Sequence, residues 1–433
     1  MLRLIEVHNY GCLKNICQPL DNFHVLVGPN ASGKTTFLDV VSFLGDFVSG
    51  GLEEAVFSRT NNFQDLVWMR SGESFDLAIE LDIPPELKDK TIKGAYDVIR
   101  CNILVGIDEK NGGISILKEN VSLMNRNLWA KAQAGKASPD EVNKSAKRII
   151  NRDIHSPDKE KGRDTCFIEE DKTGVFYHFN LPPEKSALAN LPEDESKFPV
   201  ALWLKSFLTE GVQPLMLNSV LMRKPSPPGQ PKKFKPDGSN LPWVIEFLRK
   251  NDPPKFQEWV DHLRTALSDL KDVRTVLRPE DKHRYIVLLY ENYLEVPSWM
   301  VSDGTLRILA LTLPAYIQAL PRHFKLAEKR MKFDESFYPE LDGIYLIEEP
   351  ENGLHPQAIE TVYQSLSSVY GAQVLLATHS PVILGLAKAK EVLCFSRTEE
   401  GATQIIRGDQ HPALKDWKGV PNLSVLFASG VLG

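Results

Sequence analysis

The octapeptide GPNASGKT at residues 28–35 constrains this chain more than any other stretch. It matches the pattern G-x-x-x-x-G-K-[ST]. In this pattern, the backbone N–H groups of a glycine-containing loop surround phosphate oxygens, and the following helix directs its N-terminal dipole at them. The flanks supply the required context, because 24–28 is a short apolar run and the apolar residues of 34–48 recur at helical spacing. The segment therefore predicts a buried strand, a phosphate-binding loop and a helix.

Each part of this loop has a predicted task in binding a nucleotide with its metal ion. Gly33 lets the backbone approach closely, the Lys34 ammonium would hold the β- and γ-phosphates, and the Thr35 hydroxyl would bind Mg²⁺. The predicted nucleotide-binding residues of the loop are Gly28, Pro29, Asn30, Ala31, Ser32, Gly33, Lys34, Thr35 and Thr36.

Two adjacent carboxylates, Glu348 and Glu349, follow the apolar run GIYLI and precede Pro350. An ATPase with such a loop needs a carboxylate at a neighbouring strand end to hold Mg²⁺ directly or through water. Successive residues of a strand face opposite ways, and the chain turns at the proline. One carboxylate can therefore serve the metal while the other reaches the attacking water as general base.

Two shorter motifs lie near these carboxylates in the sequence. His379 follows the apolar run QVLLA, so its imidazole can contact a γ-phosphate oxygen from a strand end. Ser302 is a good N-cap for the helix predicted over 302–320, and Gly304 permits close backbone approach. By itself this helix start is a weak signal, because an ordinary capped helix explains it equally well.

The middle of the chain has a different character. Strands are predicted for 75–83 and 97–107, and a hairpin around an Asp-Lys-Thr-Gly turn for 166–180. Residues 130–163 are polar and predict helix plus loop, and 255–273 carries its apolar residues on one helical face. The Pro/Gly/Lys-rich stretch 223–240 predicts no regular element.

Composition narrows the class of protein. The 433 residues carry a net charge of −6, which argues against a uniformly basic nucleic-acid binder. A basic stretch remains, and it could contact DNA or RNA phosphates or be a solvated loop: Arg223, Lys224, Lys232, Lys233 and Lys235. The five cysteines form no CxxC pair, and no run approaches the ~20 apolar residues of a membrane-spanning helix. We expect a soluble, cytoplasmic protein with no membrane partner.

Together the motifs GPNASGKT, SDGT, YLIEEPENGLHP and THSP, in this order, resemble the ABC-type ATPases of the SMC/RecF-like branch. The resemblance is closest to the OLD-family (AAA_21-type) ATPases of prokaryotic defence systems. It implies an α/β fold: an ABC-type ATPase head at 1–85 and 275–433, with a mostly parallel sheet flanked by helices plus antiparallel strands. A large α+β lobe would be inserted at 86–274. The segment after THSP has no room for a Toprim domain and no Glu…Asp-x-Asp set, so we expect no fused nuclease.

The resemblance also distributes roles, with ATP and Mg²⁺ as cofactors. It implies that Glu348 binds Mg²⁺, that Glu349 is the catalytic base and that His379 is the catalytic switch residue. Gln64 would be the Q-loop ligand of the metal, although a polar turn residue is the alternative. Ser302, Asp303 and Gly304 would contact the γ-phosphate held by the opposite subunit of a homodimer.

Three further residues of YLIEEPENGLHP have no assigned catalytic role. His355 stands at the D-loop position, where an aspartate is more usual, so the resemblance does not define its role. Glu351 and Asn352 are interpreted as turn residues rather than catalytic ones.

Several functions are compatible with these motifs. The first is an ATP-driven dimeric switch that regulates an effector or nuclease protein in trans, in antiphage defence, with larger assemblies left open. The alternative is a RecF-like DNA-repair ATPase that binds DNA directly. A transporter cassette is disfavoured, because it would carry an LSGGQ-like signature and no insertion of this size.

Overall fold

The structure is a computed structural model that describes residues 1–88, 96–108, 112–126, 146–153, 164–167, 176–179, 181–231, 233–317 and 343–412. The chain forms two compact units. Unit 1 comprises Met1–Asn22, Gly28–Val212 and Phe395–Ile405, and unit 2 comprises Phe23–Val27, Gln213–Cys394 and Ile406–Gly433.

The described residues form 17 strands and 10 α-helices. The strands are β1 Leu2–Tyr10, β2 Leu13–Pro19, β3 Phe23–Val27, β4 Ser74–Asp82, β5 Val98–Ile107, β6 Ile114–Met124, β7 Lys147–Asp153, β8 Asp164–Phe167, β9 Phe176–Phe179, β10 Val212–Leu215, β11 Leu270–Leu277, β12 Arg284–Tyr290, β13 Glu295–Pro297, β14 Gly343–Glu348, β15 Ala372–Ala377, β16 Val392–Arg397 and β17 Thr403–Arg407. The helices are α1 Lys34–Ser49, α2 Leu52–Phe57, α3 Pro85–Lys88, α4 Pro199–Ser206, α5 Ser219–Arg223, α6 Leu241–Asn251, α7 Pro253–Arg264, α8 Asp303–Thr312, α9 Pro356–Ser367 and α10 Pro381–Leu386.

Unit 1 is built on an eight-stranded antiparallel sheet in the order β2-β1-β4-β5-β6-β7-β8-β9. The helix α1 is amphipathic and buries its apolar side chains in this unit. Phe43 of α1 makes edge contacts with Tyr10 and Phe75, with ring centroids 5.7 and 5.5 Å apart. Burying each such aromatic side chain contributes roughly 1.5–3 kcal/mol, so this cluster holds the helix against the sheet.

A second sheet has the order β10-β14-β15-β3-β16-β17, and its central strands β14, β15 and β3 belong to unit 2. β14 runs parallel to β15, β15 to β3, and β3 to β16. The register places Glu348 beside Ala377, and Ala377 beside Leu26. The carboxyl ends of three parallel strands therefore lie in one row, which is the edge where α/β sheets bind ligands.

Helices and a small antiparallel sheet complete unit 2. The small sheet has the order β11-β12-β13. The core of this unit includes the fully buried Trp259 of α7, whose indole N–H donates to the Thr312 hydroxyl at 2.9 Å. That bond satisfies the one polar atom of the side chain and fixes the end of α8 against α7.

The strands expected from the sequence are present. β4 and β5 match the expected segments, and the two strands of the predicted hairpin pair from Asp164↔Phe179 to Phe167↔Phe176, while its turn lies outside the described residues. The α/β fold class, with a parallel sheet flanked by helices plus antiparallel strands, is confirmed. The predicted domain boundaries at 85/86 and 274/275 stay a prediction.

Three local predictions are wrong. The helix expected over 302–320 ends at Thr312, and a 3₁₀ turn with Pro314 follows it. The helix expected over 255–273 ends at Arg264, and the chain then enters β11. Leu270 fits a helical face by spacing, but the following Val273, Thr275 and Val276 favour a strand that pairs with β12. Helix plus loop was expected over 130–163, yet β7 lies there and pairs with β6; the rest of that segment lies outside the described residues apart from residue 146.

In the described part of the chain, every helix is too short or too polar to cross a lipid bilayer.

Candidate functional site

The loop between β3 and α1 has a backbone that only glycine permits at two positions. Gly28 has φ 151°, and a Cβ there would lie 2.2 Å from the carbonyl oxygen of Phe395. Gly33 has φ 105°, and a Cβ there would lie 2.3 Å from the Thr403 hydroxyl. Side chains at these positions would be strained and would also clash. The glycines of the motif are therefore required by the folded loop itself.

Two side chains from the last segment of unit 1, Phe395–Ile405, hydrogen-bond to the backbone of this loop. Arg397 Nε donates to the Ala31 carbonyl at 2.8 Å, and Thr403 Oγ1 donates to the Ser32 carbonyl at 2.9 Å. The Lys34 ammonium is buried and donates to the Gly28 and Pro29 carbonyls at 2.8 and 3.0 Å. The loop is thus curled around its own lysine at the N-terminus of a 16-residue helix, which is the arrangement that binds phosphate.

Two buried polar atoms near this end of unit 1 have no hydrogen-bond partner within the described structure: Ser32 Oγ and Gln64 Oε1. Buried polar atoms usually find a partner, so such orphans suit a ligand. Gln64 lies in a short 3₁₀ turn, Phe63–Leu66, capped by Asn62, whose Oδ1 accepts from Gln64 N at 3.2 Å. A side-chain amide oxygen of this kind can coordinate Mg²⁺ or accept a hydrogen bond from an attacking water.

Thr36, the last predicted residue of the loop, sits against the β1–β2 turn. Cys12 Sγ donates to Thr36 Oγ1 at 3.4 Å, and a Cβ on Gly11 would lie 2.9 Å from Thr36 Cγ2. Close packing therefore positions the first turn of α1 as well as the loop.

In unit 2, the end of β14 presents the two adjacent glutamates. Glu348 and Glu349 are both exposed, whereas Pro350 is buried. Glu349 has φ 46°, a left-handed conformation that is costly for a residue other than glycine. Its N–H donates to the Ala377 carbonyl at 2.8 Å, and its carboxylate accepts from Asn352 Nδ2 at 2.5 Å. The positive φ at Glu349, not the proline alone, turns the chain here.

Glu351 does more than the sequence indicated. It lies in the turn, as expected, but its Oε1 accepts from the Thr378 hydroxyl at 2.7 Å and from the His379 N–H at 2.8 Å. The carboxylate therefore joins the turn after β14 to the end of β15. A third glutamate, three residues after the strand-end Glu348, is the only sequence signal that could have indicated this contact.

The helix α8 begins where the sequence predicts. Ser302 is its N-cap, and its hydroxyl accepts from Thr305 N at 3.2 Å. Ser302 and Asp303 are exposed and Gly304 is partly buried, so the helix start faces outward. His355, at the position that the resemblance left undefined, is the N-cap of α9, and its Nδ1 accepts from Gln357 N at 3.3 Å.

The basic stretch is not simply a solvated loop. Arg223 donates through Nε and Nη2 to the Val301 carbonyl at 3.1 and 3.0 Å and forms an ion pair with Asp303 at 2.7 Å. Phe234 is buried, and Lys232 lies outside the described residues. The prediction of no regular element over 223–240 fails only at Arg223, the last residue of α5, because 224–231 and 233–240 contain no helix or strand.

The structure thus brings the predicted residues together in two groups. One is the loop of residues 28–35 with Thr36 in unit 1. The other is in unit 2, where Glu349 hydrogen-bonds the end of β15 and Arg307 Nη2 of α8 donates to the Glu349 carbonyl at 3.3 Å. Among the described residues, no cluster of three or more His, Cys, Asp or Glu side chains could hold a metal ion by itself.

Two family models match the sequence. One, described as "AAA domain, putative AbiEii toxin, Type IV TA system", matches residues 125–385, more than half of the chain. The other, described as "AAA ATPase domain", matches residues 1–191. No curated protein matches the chain.

Two similar solved structures are Smc heads. One, bound to the C-winged helix domain of ScpA, has 14% identity and a TM-score of 0.49 and covers 94% of this chain and 96% of that one. The other has an extended coiled coil, is bound to the C-terminal domain of ScpA and derives from Pyrococcus furiosus. It has 16% identity and a TM-score of 0.44, covering 94% of this chain and 95% of that one.

Proposed function

The chain belongs to the AAA-domain family matched over residues 125–385, and from this premise we propose that it is an ATP-driven switch. The family supports ATP hydrolysis in general. The observation that carries the proposal is the phosphate-binding loop, in which Gly28 and Gly33 have positive φ and no space for a Cβ. A loop built in this way, at the start of a long helix, serves a phosphorylated ligand.

Within this proposal, the loop residues 28–36 bind the nucleotide phosphates. The Lys34 ammonium, which now bonds to two loop carbonyls, would turn to the β- and γ-phosphates. Mg²⁺ is usually held by one or two carboxylates, waters and substrate phosphates rather than by a protein cage. Thr35, Glu348 and Gln64 are the proposed ligands, and the ion would neutralise developing negative charge.

Glu349 is the proposed general base, and His379 the proposed contact to the γ-phosphate. The Glu349 carboxylate would take a proton from the attacking water, and its orientation is set by Asn352 and the left-handed turn. His379 would donate a hydrogen bond to a phosphate oxygen from the end of β15. Its fixed backbone N–H makes this contact sensitive to small movements of the strand end.

We further propose a homodimer that encloses ATP between two copies, with Mg²⁺. The exposed start of α8 has a capped N-terminus whose dipole favours an anion, and Ser302, Asp303 and Gly304 would contact the nucleotide of the second copy. Closure on ATP and opening after hydrolysis would regulate an effector or nuclease protein in antiphage defence. This last step, like the OLD-type assignment, rests on analogy with the family.

The test compares the wild type with Glu349→Gln. The variant should bind ATP with wild-type affinity, hydrolyse it at least about a hundredfold more slowly, and accumulate as a dimer in ATP. Turnover, ATP affinity and mass by light scattering are the measurements. Glu360→Gln is a matched control, because Glu360 is an exposed glutamate on α9. Normal turnover in Glu349→Gln would remove Glu349 from its role.

A parallel assay addresses direct DNA binding. If DNA stimulates turnover with a steep salt dependence, the RecF-like alternative gains over the protein-effector proposal.

A further inference from the structure

We propose that Glu351 is a positioning residue that holds His379 in the place needed for ATP hydrolysis. This inference rests on the function proposed above. Glu351 was expected to be an ordinary turn residue. In the folded chain its carboxylate instead reaches across from the turn after β14 to the end of β15.

The contacts of Glu351 are directed at the backbone that carries His379. Oε1 accepts the His379 N–H at 2.8 Å and the Thr378 hydroxyl at 2.7 Å. Hydrogen bonds in which the acceptor is an ionised carboxylate are about twice as strong as neutral ones. One carboxylate oxygen therefore fixes two consecutive residues at the strand end.

Further hydrogen bonds of Thr378 hold the backbone on both sides of His379. Thr378 is fully buried, its N–H donates to the Leu26 carbonyl at 3.1 Å, and its hydroxyl accepts from Ser380 N at 2.9 Å. The backbone before and after His379 is therefore held, while the imidazole itself is only partly buried. The orientation of the His379 imidazole therefore depends on the backbone N–H to which Glu351 is hydrogen-bonded.

The second carboxylate oxygen of Glu351 lacks a hydrogen-bond partner within the described residues. This atom, Oε2, is buried without a hydrogen-bond partner in the described structure, and so is Nε of Arg307 on α8. Burial lowers the pKa of Arg307, and the negative charges of Glu351 and Asp303 oppose that effect. The Arg307 guanidinium and the Glu351 carboxylate therefore attract each other electrostatically. Arg307 Nη2 also donates to the Glu349 carbonyl at 3.3 Å. The hydrogen bond from His379 to Glu351 thus lies beside both the turn at Glu349 and the helix α8.

The experiment is a double-mutant cycle in the full-length protein. Glu351→Ala should lower kcat about tenfold or more while the ATP Kd changes less than about twofold. In a His379→Ala background, the same change should lower kcat less than about twofold further, because Glu351 acts through the residue already removed. Glu351→Gln, which keeps an acceptor at Oε1, should restore most of kcat.

Each contrary result has a distinct meaning. Additive losses, or a Glu351→Ala enzyme with wild-type kcat, would overturn the positioning role. If Glu351→Ala does not fold, Glu351→Asp, whose shorter side chain withdraws the acceptor, takes its place in the cycle. A kcat loss that vanishes in the His379→Ala background supports the positioning role, and a wild-type kcat or an additive loss overturns it. A His379→Ala enzyme with wild-type kcat also overturns the inference. Failure of the proposed function is separate, because it would appear as no hydrolysis by the wild type or as full turnover in Glu349→Gln.

Discussion

Gly304 and Gly353 stand so close that a Cβ on Gly304 would lie 2.5 Å from the Gly353 carbonyl oxygen. Gly304 is in the first turn of α8, and Gly353 is in the loop that follows the two strand-end glutamates. Backbone atoms do not yield as a flexible side chain does, so any substituent at 304 must move one segment away from the other. The start of α8 and the loop after β14 are therefore packed as one piece.

This contact predicts that Gly304→Ala impairs turnover more than nucleotide binding. The methyl group would displace the 349–355 loop, which carries the proposed base. We expect kcat to fall at least about tenfold with the ATP Kd changed less than about threefold. Steady-state ATPase assays and equilibrium nucleotide titration measure the two quantities.

Gly408→Ala provides the control for a general steric defect. A Cβ there would lie 2.6 Å from the Ala389 carbonyl, a comparable backbone clash away from the proposed catalytic residues. Both variants should lose thermal stability, but only Gly304→Ala should lose turnover at a temperature where both remain folded. Equal loss of kcat in the two variants would show that the Gly304 contact has no special role.

A second prediction concerns Lys34, whose buried ammonium is held by the Gly28 and Pro29 carbonyls. Lys34→Ala removes both the charge and these bonds, so ATP affinity should fall by roughly ten- to a hundredfold. Lys14→Ala is a suitable control, because it removes an exposed ammonium that pairs with Glu400 at 2.7 Å. Equal ATP affinity in the Lys34→Ala and wild-type proteins would contradict the phosphate role of the loop.

The sequence predicted the residues whose spacing is dictated by chemistry. Glycines at 28 and 33, a lysine after the second, and a helix after the loop follow from phosphate geometry alone. Glu351 was missed because its partner, the His379 N–H, lies 28 residues away and is reached only when β14 and β15 pair. The overlong helix at 255–273 has a related cause, since helical spacing at Leu270 does not reveal that β12 is available to pair with it.

Arg223 supports a third prediction, about stability rather than catalysis. Arg223→Ala would leave the Val301 carbonyl without its two donors just before α8, and we expect the free energy of unfolding to fall by about 1–3 kcal/mol. The ion pair with Asp303 is largely exposed and should add little. Denaturant unfolding gives the value. Lys224→Ala, which removes an exposed charge next door, should stay within about 0.5 kcal/mol of the wild type. If the two variants were equally stable, the bond to Val301 would be unimportant.

The last prediction uses the thiol of Cys17 on the sheet of unit 1. Cys17 is exposed, yet partial desolvation of its thiol and the neighbouring Glu6 carboxylate, which accepts from Sγ at 3.4 Å, raise the pKa of Cys17 to about 11. Only the thiolate is alkylated, so the rate at pH 8 should be about a hundredfold below that of an ordinary exposed cysteine. The rate should keep rising through pH 9.5 instead of levelling near the usual pKa. Glu6→Gln should speed the reaction by removing the negative charge, and peptide-resolved mass spectrometry with iodoacetamide measures it. A Cys17 rate equal to that of the denatured chain would show that neither desolvation nor Glu6 holds the thiol in its protonated form.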